Sequence, residues 1–159
     1  TTFLAPATYH RQISLTFGWS DQPAPDVPWY ALLNTDRSSD LAWASLENWK
    51  PDRAPRDTTM IMAQMAPAWS LTRYQAGDTT VISEALPLLL ELLPFSLPTP
   101  TWIDIQRWKF AHPSGAKLVC PPRIHQRGLW FAGDALVGKG RVTESIQTGL
   151  DVARELRGI

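Results

Sequence analysis

The residues with the clearest chemical potential lie at 129–156. An apolar run, Leu129-Trp130-Phe131-Ala132, leads into the turn pair Gly133-Asp134. A loop holding Gly138 and Gly140 follows, and a helix is predicted to begin at Arg141-Val142. Glycine has no Cβ, so a backbone rich in it can approach a ligand closely. A helix start offers N–H groups without intrahelical partners and a partial positive charge. Such a combination suits a phosphate or another electron-rich group. Gly149 falls inside the same helix, where glycine costs about 1 kcal/mol relative to alanine. Close approach of a strand or a ligand accounts for it, and so does unrefined packing.

Other chemistries are less well served. Gly133 to Lys139 fits the phosphate-loop spacing G-x-x-x-x-G-K between a strand and a helix. Gly140 then stands where a Ser or Thr should hold magnesium, which counts against that reading. His10, His112 and His125 have neither metal-ligand spacing nor a partnered carboxylate, so structural or exposed roles are expected and no metal site is assigned. Cys120 lies five residues before His125, a conceivable nucleophile pair. There is no G-x-S-x-G and no H-E-x-x-H. Met60, Met62 and Met65 read as core filler.

The elements that must position these residues can be traced along the chain. Ile13, Leu15, Phe17 and Trp19 alternate with small or polar residues, so 10–19 is a strand with one apolar face. A short strand is expected at 29–33, a strand with helix as the alternative at 41–49, and an apolar strand at 58–69, with Pro67 ending its regular pairing. Residues 77–93 read as a helix capped by Asp78 or Thr79 and kinked or split at Pro87. Residues 101–110 form a further strand, with Trp108 and Phe110 on one face and Arg107 and Lys109 on the other. In the last helix Val142, Ile146, Leu150, Ala153 and Leu156 recur at three- and four-residue steps as one apolar stripe. Glu144 near its start and Arg154 and Arg157 near its end match the helix dipole, and Gly158 is a natural C-cap. The fold class is therefore α+β, a mostly antiparallel sheet with one long helix plus a C-terminal strand-turn-helix. Residues 1–126 are expected to form the sheet-and-helix part and 127–159 the strand-turn-helix.

Composition narrows the function classes. The 159 residues amount to about one domain, and 44% apolar types are enough for a core. Fifteen basic against fifteen acidic residues give no net charge, so neither a nucleic-acid partner nor a basic membrane-surface role is indicated. One cysteine excludes an intrachain disulfide framework. No apolar run approaches the roughly 20 residues of a membrane span, and no signal sequence opens the chain, so a cytoplasmic location is expected. Eight tryptophans and fourteen prolines point to strands and ordered loops around an aromatic surface. A start at Thr1 without an initiator Met fits a processed product or a piece of something larger.

The segment from Gly133-Asp134 through Gly140-Arg141-Val142 to Thr148-Gly149 resembles the C-terminal FAD motif of flavin amine oxidase-like proteins, most closely the renalase-like NAD/FAD-dependent oxidoreductases. The run Gln106-Arg107-Trp108-Lys109-Phe110-Ala111-His112-Pro113 is similar to that group's Arg-Trp strand, and 43–70 is similar too, ending in Ala68-Trp69-Ser70. The likeness extends over 10–159 and is specific in roughly the last 55 residues. The G-x-G-x-x-G turn that opens such proteins and holds the FAD pyrophosphate is not in this sequence. Thr143 stands where the family has Glu, with Glu144 one position late. The resemblance implies the C-terminal part of a two-domain FAD-dependent enzyme that oxidises an amine or a reduced nicotinamide compound. It also implies a missing N-terminal dinucleotide-binding half, without which activity and tight FAD binding are not expected. By the same resemblance Gly133 and Asp134 meet the ribityl-phosphate region. Gly140, Arg141, Val142 and Thr143 lie at the flavin N1/C2=O end, and Trp108 and Phe110 flank a small-molecule substrate. The alternative is a non-catalytic, Trp-rich binding domain, for example one that docks a separate flavin-binding chain.

Overall fold

The structure, a computed structural model, describes residues 4–119 and 128–158. Cys120 and His125 lie outside the described residues. The described elements are α+β: five strands form one sheet in the order β2-β3-β4-β1-β5, and three α-helices accompany it. Strand β1 is Tyr9–Trp19, β2 Ala31–Leu33, β3 Leu41–Leu46, β4 Thr59–Met65 and β5 Trp102–Pro113. The helices are α1 Pro67–Arg73, α2 Asp78–Leu92 and α3 Val142–Arg157. Contacts divide the chain into two compact units, one of Arg11–Trp108 and one that joins the N-terminal residues through His10 to the segment from Lys109 onward. No helix among the described residues is long and apolar enough to cross a membrane.

The first unit is built on the period of β1. Ile13, Leu15, Phe17 and Trp19 are fully buried, because alternate residues of a strand share a face. β4 runs antiparallel beside it, with Leu15 opposite Ala63 and Phe17 opposite Ile61. Trp19 keeps its indole N–H satisfied by donating to the Pro98 carbonyl at 2.8 Å. α2 lays Val81, Ala85 and Leu89 onto the core at four-residue steps. Gly18 leaves room for the Trp102 ring, since a Cβ there would sit 1.9 Å from it.

Several expectations are corrected. β3 ends at Leu46, and Glu47–Trp49 turns into a 3-10 helix. β4 stops at Met65, and Pro67 opens α1 rather than merely ending a strand. Proline at a first helical position loses no hydrogen bond, because that N–H has no intrahelical partner. α1 matters to the core: its buried Ser70 hydroxyl accepts the Ile13 N–H at 3.1 Å. Pro87 lies within one helical span on its exposed side, so the carbonyl it orphans can meet water. Of the three methionines only Met65 is buried; Met60 and Met62 share the opposite parity of β4 and are half-buried. Residues 129–132 are not a strand but irregular backbone that leads into the turn at Gly133.

Glu47 is a fully buried carboxylate. The Ser45 hydroxyl and the Lys50 ammonium donate to Oε1, the latter at 2.6 Å, and Arg53 reaches Oε2 at 3.3 Å. Burial alone raises its pKa, but the bonds from Lys50 and Ser45 and the charges of Lys50 and Arg53 outweigh it, leaving the group below the ordinary carboxylate range. A lowered folded-state pKa contributes stability above the unfolded value, and that stability is lost as pH falls through the folded one. Glu47→Gln should therefore flatten the acid limb of a melting-temperature profile. Glu47→Ala should cost about 1–3 kcal/mol in denaturant titrations, since buried Ser45 loses its acceptor.

Candidate functional site

The second unit contains the segment singled out by its glycines. Gly133 has φ 123° and ψ −176°, a conformation open to glycine and strained for other residues. Its N–H donates to Thr148 Oγ1 at 2.8 Å, and that hydroxyl donates onward to the Ser145 carbonyl at 2.7 Å. The turn is thus clasped to the body of α3 by one side chain. A 3-10 turn, Asp134–Leu136, follows. The Asp134 carbonyl accepts the N–H groups of Val137 at 3.0 Å and Gly138 at 2.8 Å. Gly138 has φ 75° and fits against the Lys117 backbone, whose nitrogen would be 2.8 Å from an added Cβ.

Asp134 is held from its side chain as well. The Tyr9 hydroxyl donates to Oδ1 at 3.0 Å. Burial, that bond and the nearby carboxylate charge all push the Tyr9 phenol above its usual range, so it remains the donor at neutral pH. Tyr9 also meets the Phe110 ring edge-on, centroids 5.7 Å apart.

α3 begins without a side-chain cap. Arg141 is extended at φ −121°, and its carbonyl accepts the Ser145 N–H at 3.0 Å and the Ser145 hydroxyl at 2.8 Å. The first-turn N–H groups are therefore not occupied by an N-cap side chain. Gly140 precedes Arg141 and lies against His112; an added Cβ would be 2.6 Å from the His112 Cβ. The His112 ring in turn tilts against His10, centroids 4.7 Å apart. Burial first, and the charge of His112 second, lower the His10 pKa.

These residues border one open cleft of about 690 Å³. Gly133, Asp134, Gly140, Arg141 and Val142 line it together with Ala111, His112, Ser145 and Ile146. Thr143 is exposed and outside the lining. Trp108 and Phe110 are exposed on β5 and do not line it either; the next residues of that strand, Ala111 and His112, do. The cleft brings together backbone donors at a helix start, a guanidinium, a carboxylate and an imidazole. That set can orient a polar ligand carrying negative charge at one end. His112 is the residue that sequence reasoning missed, because a search for metal spacing does not register a contact with an absent Cβ.

No protein-family model matches the chain. Among solved structures it is similar to a chain assigned as a protoporphyrinogen oxidase from Exiguobacterium sp. 255-15, at 16% identity and a TM-score of 0.62 over 95% of this chain. It is also similar to a reduced UDP-galactopyranose mutase, at 15% identity and a TM-score of 0.72 over 99% of this chain. In each case the match spans 36% of the longer chain, so this chain corresponds to about a third of either protein. These likenesses establish a shared fold.

Gly140→Ala should destabilise the protein by about 1–3 kcal/mol, through overpacking against His112. A double-mutant cycle with His112→Gly should recover most of that loss. Thr148→Val should speed amide exchange at Gly133 by about tenfold or more, since its acceptor is gone. Hydrogen exchange followed by NMR checks this directly.

Proposed function

We propose that this chain is the C-terminal part of an FAD-dependent oxidoreductase of the renalase-like, flavin amine oxidase-like kind, with an amine or a reduced nicotinamide compound as substrate. One observation carries the proposal: five of the six residues that the resemblance assigns to the cofactor border a single cleft at the start of α3. Supporting it, the two structural neighbours are described as an oxidase and as a mutase in its reduced state. The donor set fits such a cofactor, having backbone N–H groups for electron-rich edges and a fixed carboxylate for hydroxyl groups.

A bound flavin supplies the hydride chemistry. The chain's own residues bind and polarise. Asp134, held through Oδ1 by Tyr9, offers a fixed acceptor for the ribityl-phosphate region. Gly140 keeps the path to the helix start low, and the N–H groups at Val142 and Thr143 favour negative charge that builds up beside them. Trp108 and Phe110 are proposed as substrate-side surfaces once the remainder of the enzyme is present. A dinucleotide-binding half and a cytoplasmic location belong to the same proposal.

The test is visible absorbance with FAD titration. The isolated chain should be colourless and bind FAD weakly or not at all; tight stoichiometric binding would show that no second half is needed. The longer polypeptide that carries a G-x-G-x-x-G segment should be yellow. Asp134→Ala should weaken its FAD binding by about tenfold or more, the loss of a charge-assisted hydrogen bond. A colourless longer polypeptide overturns the proposal.

A further inference from the structure

His10 and His112 are far apart in sequence, yet the fold sets their rings against each other, centroids 4.7 Å apart and tilted by 54°. The start of β1 brings one and the end of β5 the other. His112 lines the cleft and His10 does not. Both are half-buried, and Gly140 packs against the His112 Cβ, which fixes where that side chain stands. Imidazole is the side chain whose charge changes between about pH 5 and 8. Two charged imidazoles at this separation repel, so the pair titrates as a unit and takes a second proton only at a cost.

Burial first, and the charge of His112 second, oppose a proton on His10. A proton on the pair is therefore better placed on the cleft side. Charged groups of both signs stand nearby. Arg141 and Asp134 line the same cleft, and Lys139 and Arg141 flank Gly140 in the chain. Asp134 is engaged by the Tyr9 hydroxyl. Arg11, next along β1, lies over the Tyr74 ring at 4.8 Å, and Lys109 over that of Phe110 at 5.2 Å. A positive charge at His112 adds to that of Arg141 and to the positive start of α3. We propose that His10 and His112 act as a one-proton switch on the wall of the cleft: the pair takes up a single proton as pH falls, and that charge tightens the cleft's hold on the anionic end of a ligand. The inference rests on the function proposed above in taking the cleft as a ligand site, and it adds regulation of that site by pH.

The probe is sulfate, which keeps its charge across this range, titrated into the chain by NMR against chloride at equal ionic strength. Sulfate should bind about fivefold more tightly at about pH 5.5 than at about pH 8. By linkage, sulfate should also move the titration of the pair to higher pH. His112→Gln should remove the pH dependence and shift the His10 titration upward. Arg141→Gln should weaken binding alike at both pH values and leave their ratio in place. Four outcomes overturn the proposal: an affinity that does not change with pH, no binding at either pH, a dependence that survives His112→Gln, or a His10 titration that His112→Gln leaves unmoved. The shift caused by sulfate is read on the native sequence, so it decides the matter even where a variant does not fold. A pH-linked cleft in a protein whose longer form is colourless would retain the switch and reject the flavin function. A yellow longer form with a pH-independent cleft would do the reverse.

Discussion

The ladder on both sides of β1 is the constraint on which the first unit depends. β1 lies inside the sheet, with β4 on one flank and β5 on the other. Its backbone groups are therefore committed in both directions, and its side chains have no freedom of register. A shift by one residue would turn Ile13, Leu15, Phe17 and Trp19 away from the core together. The buried hydroxyl of Ser70 adds a further restraint at Ile13, where α1 crosses the core. The helices are secondary to this. α2 covers the apolar face that β1 and β4 have already aligned, and it does so with one residue per turn.

The site depends on a different economy of structure. A glycine turn by itself is loose, because glycine loses more entropy on ordering than any other residue. Here Thr148 converts it into a fixed feature by accepting from Gly133 and donating into its own helix. Tyr9 does the same for Asp134 from a segment distant in sequence. The cleft is thus shaped by two side-chain hydroxyls, neither of which belongs to the cleft lining. Gly140 and His112 set its depth by contact.

Local pattern was legible in the sequence wherever an element sorts its apolar and polar residues onto separate faces. The alternation in β1, the stripe of α3 and its C-cap at Gly158 can be read from residue types alone, and Gly158 indeed closes α3 in the left-handed conformation. Cooperative features were not. Pro67 punctuates a strand and opens a helix equally well, and only the packing of Trp69 and Ser70 decides between them. The turn at Glu47 hides in an apolar run because its stabilising partners, Lys50 and Arg53, follow it in what reads as a loop. The apolar run at 129–132 has strand composition yet is irregular, because composition does not fix the backbone pairing that makes a strand. Gly133, Asp134, Gly140, Arg141 and Val142, which border the cleft, are marked in the sequence by the glycine pattern and by resemblance. His112, which lines the cleft, and Tyr9, which holds Asp134 from outside it, are not, since only the fold brings them there.

The passage from β4 to α1 takes a single residue. Ala66 is the whole connection, and its N–H donates to the Asp40 carbonyl at 2.7 Å while Pro67 already has the helical φ. A junction with a bonded amide on one side and a ring-locked torsion on the other has no slack. Insertions and deletions are absorbed by loops whose backbone is exposed and unbonded, and this joint is neither. A residue added or removed between Met65 and Trp69 would have to break that bond or lift Trp69 and Ser70 out of the core, so the length of this joint is as much a part of the fold as the residues it connects.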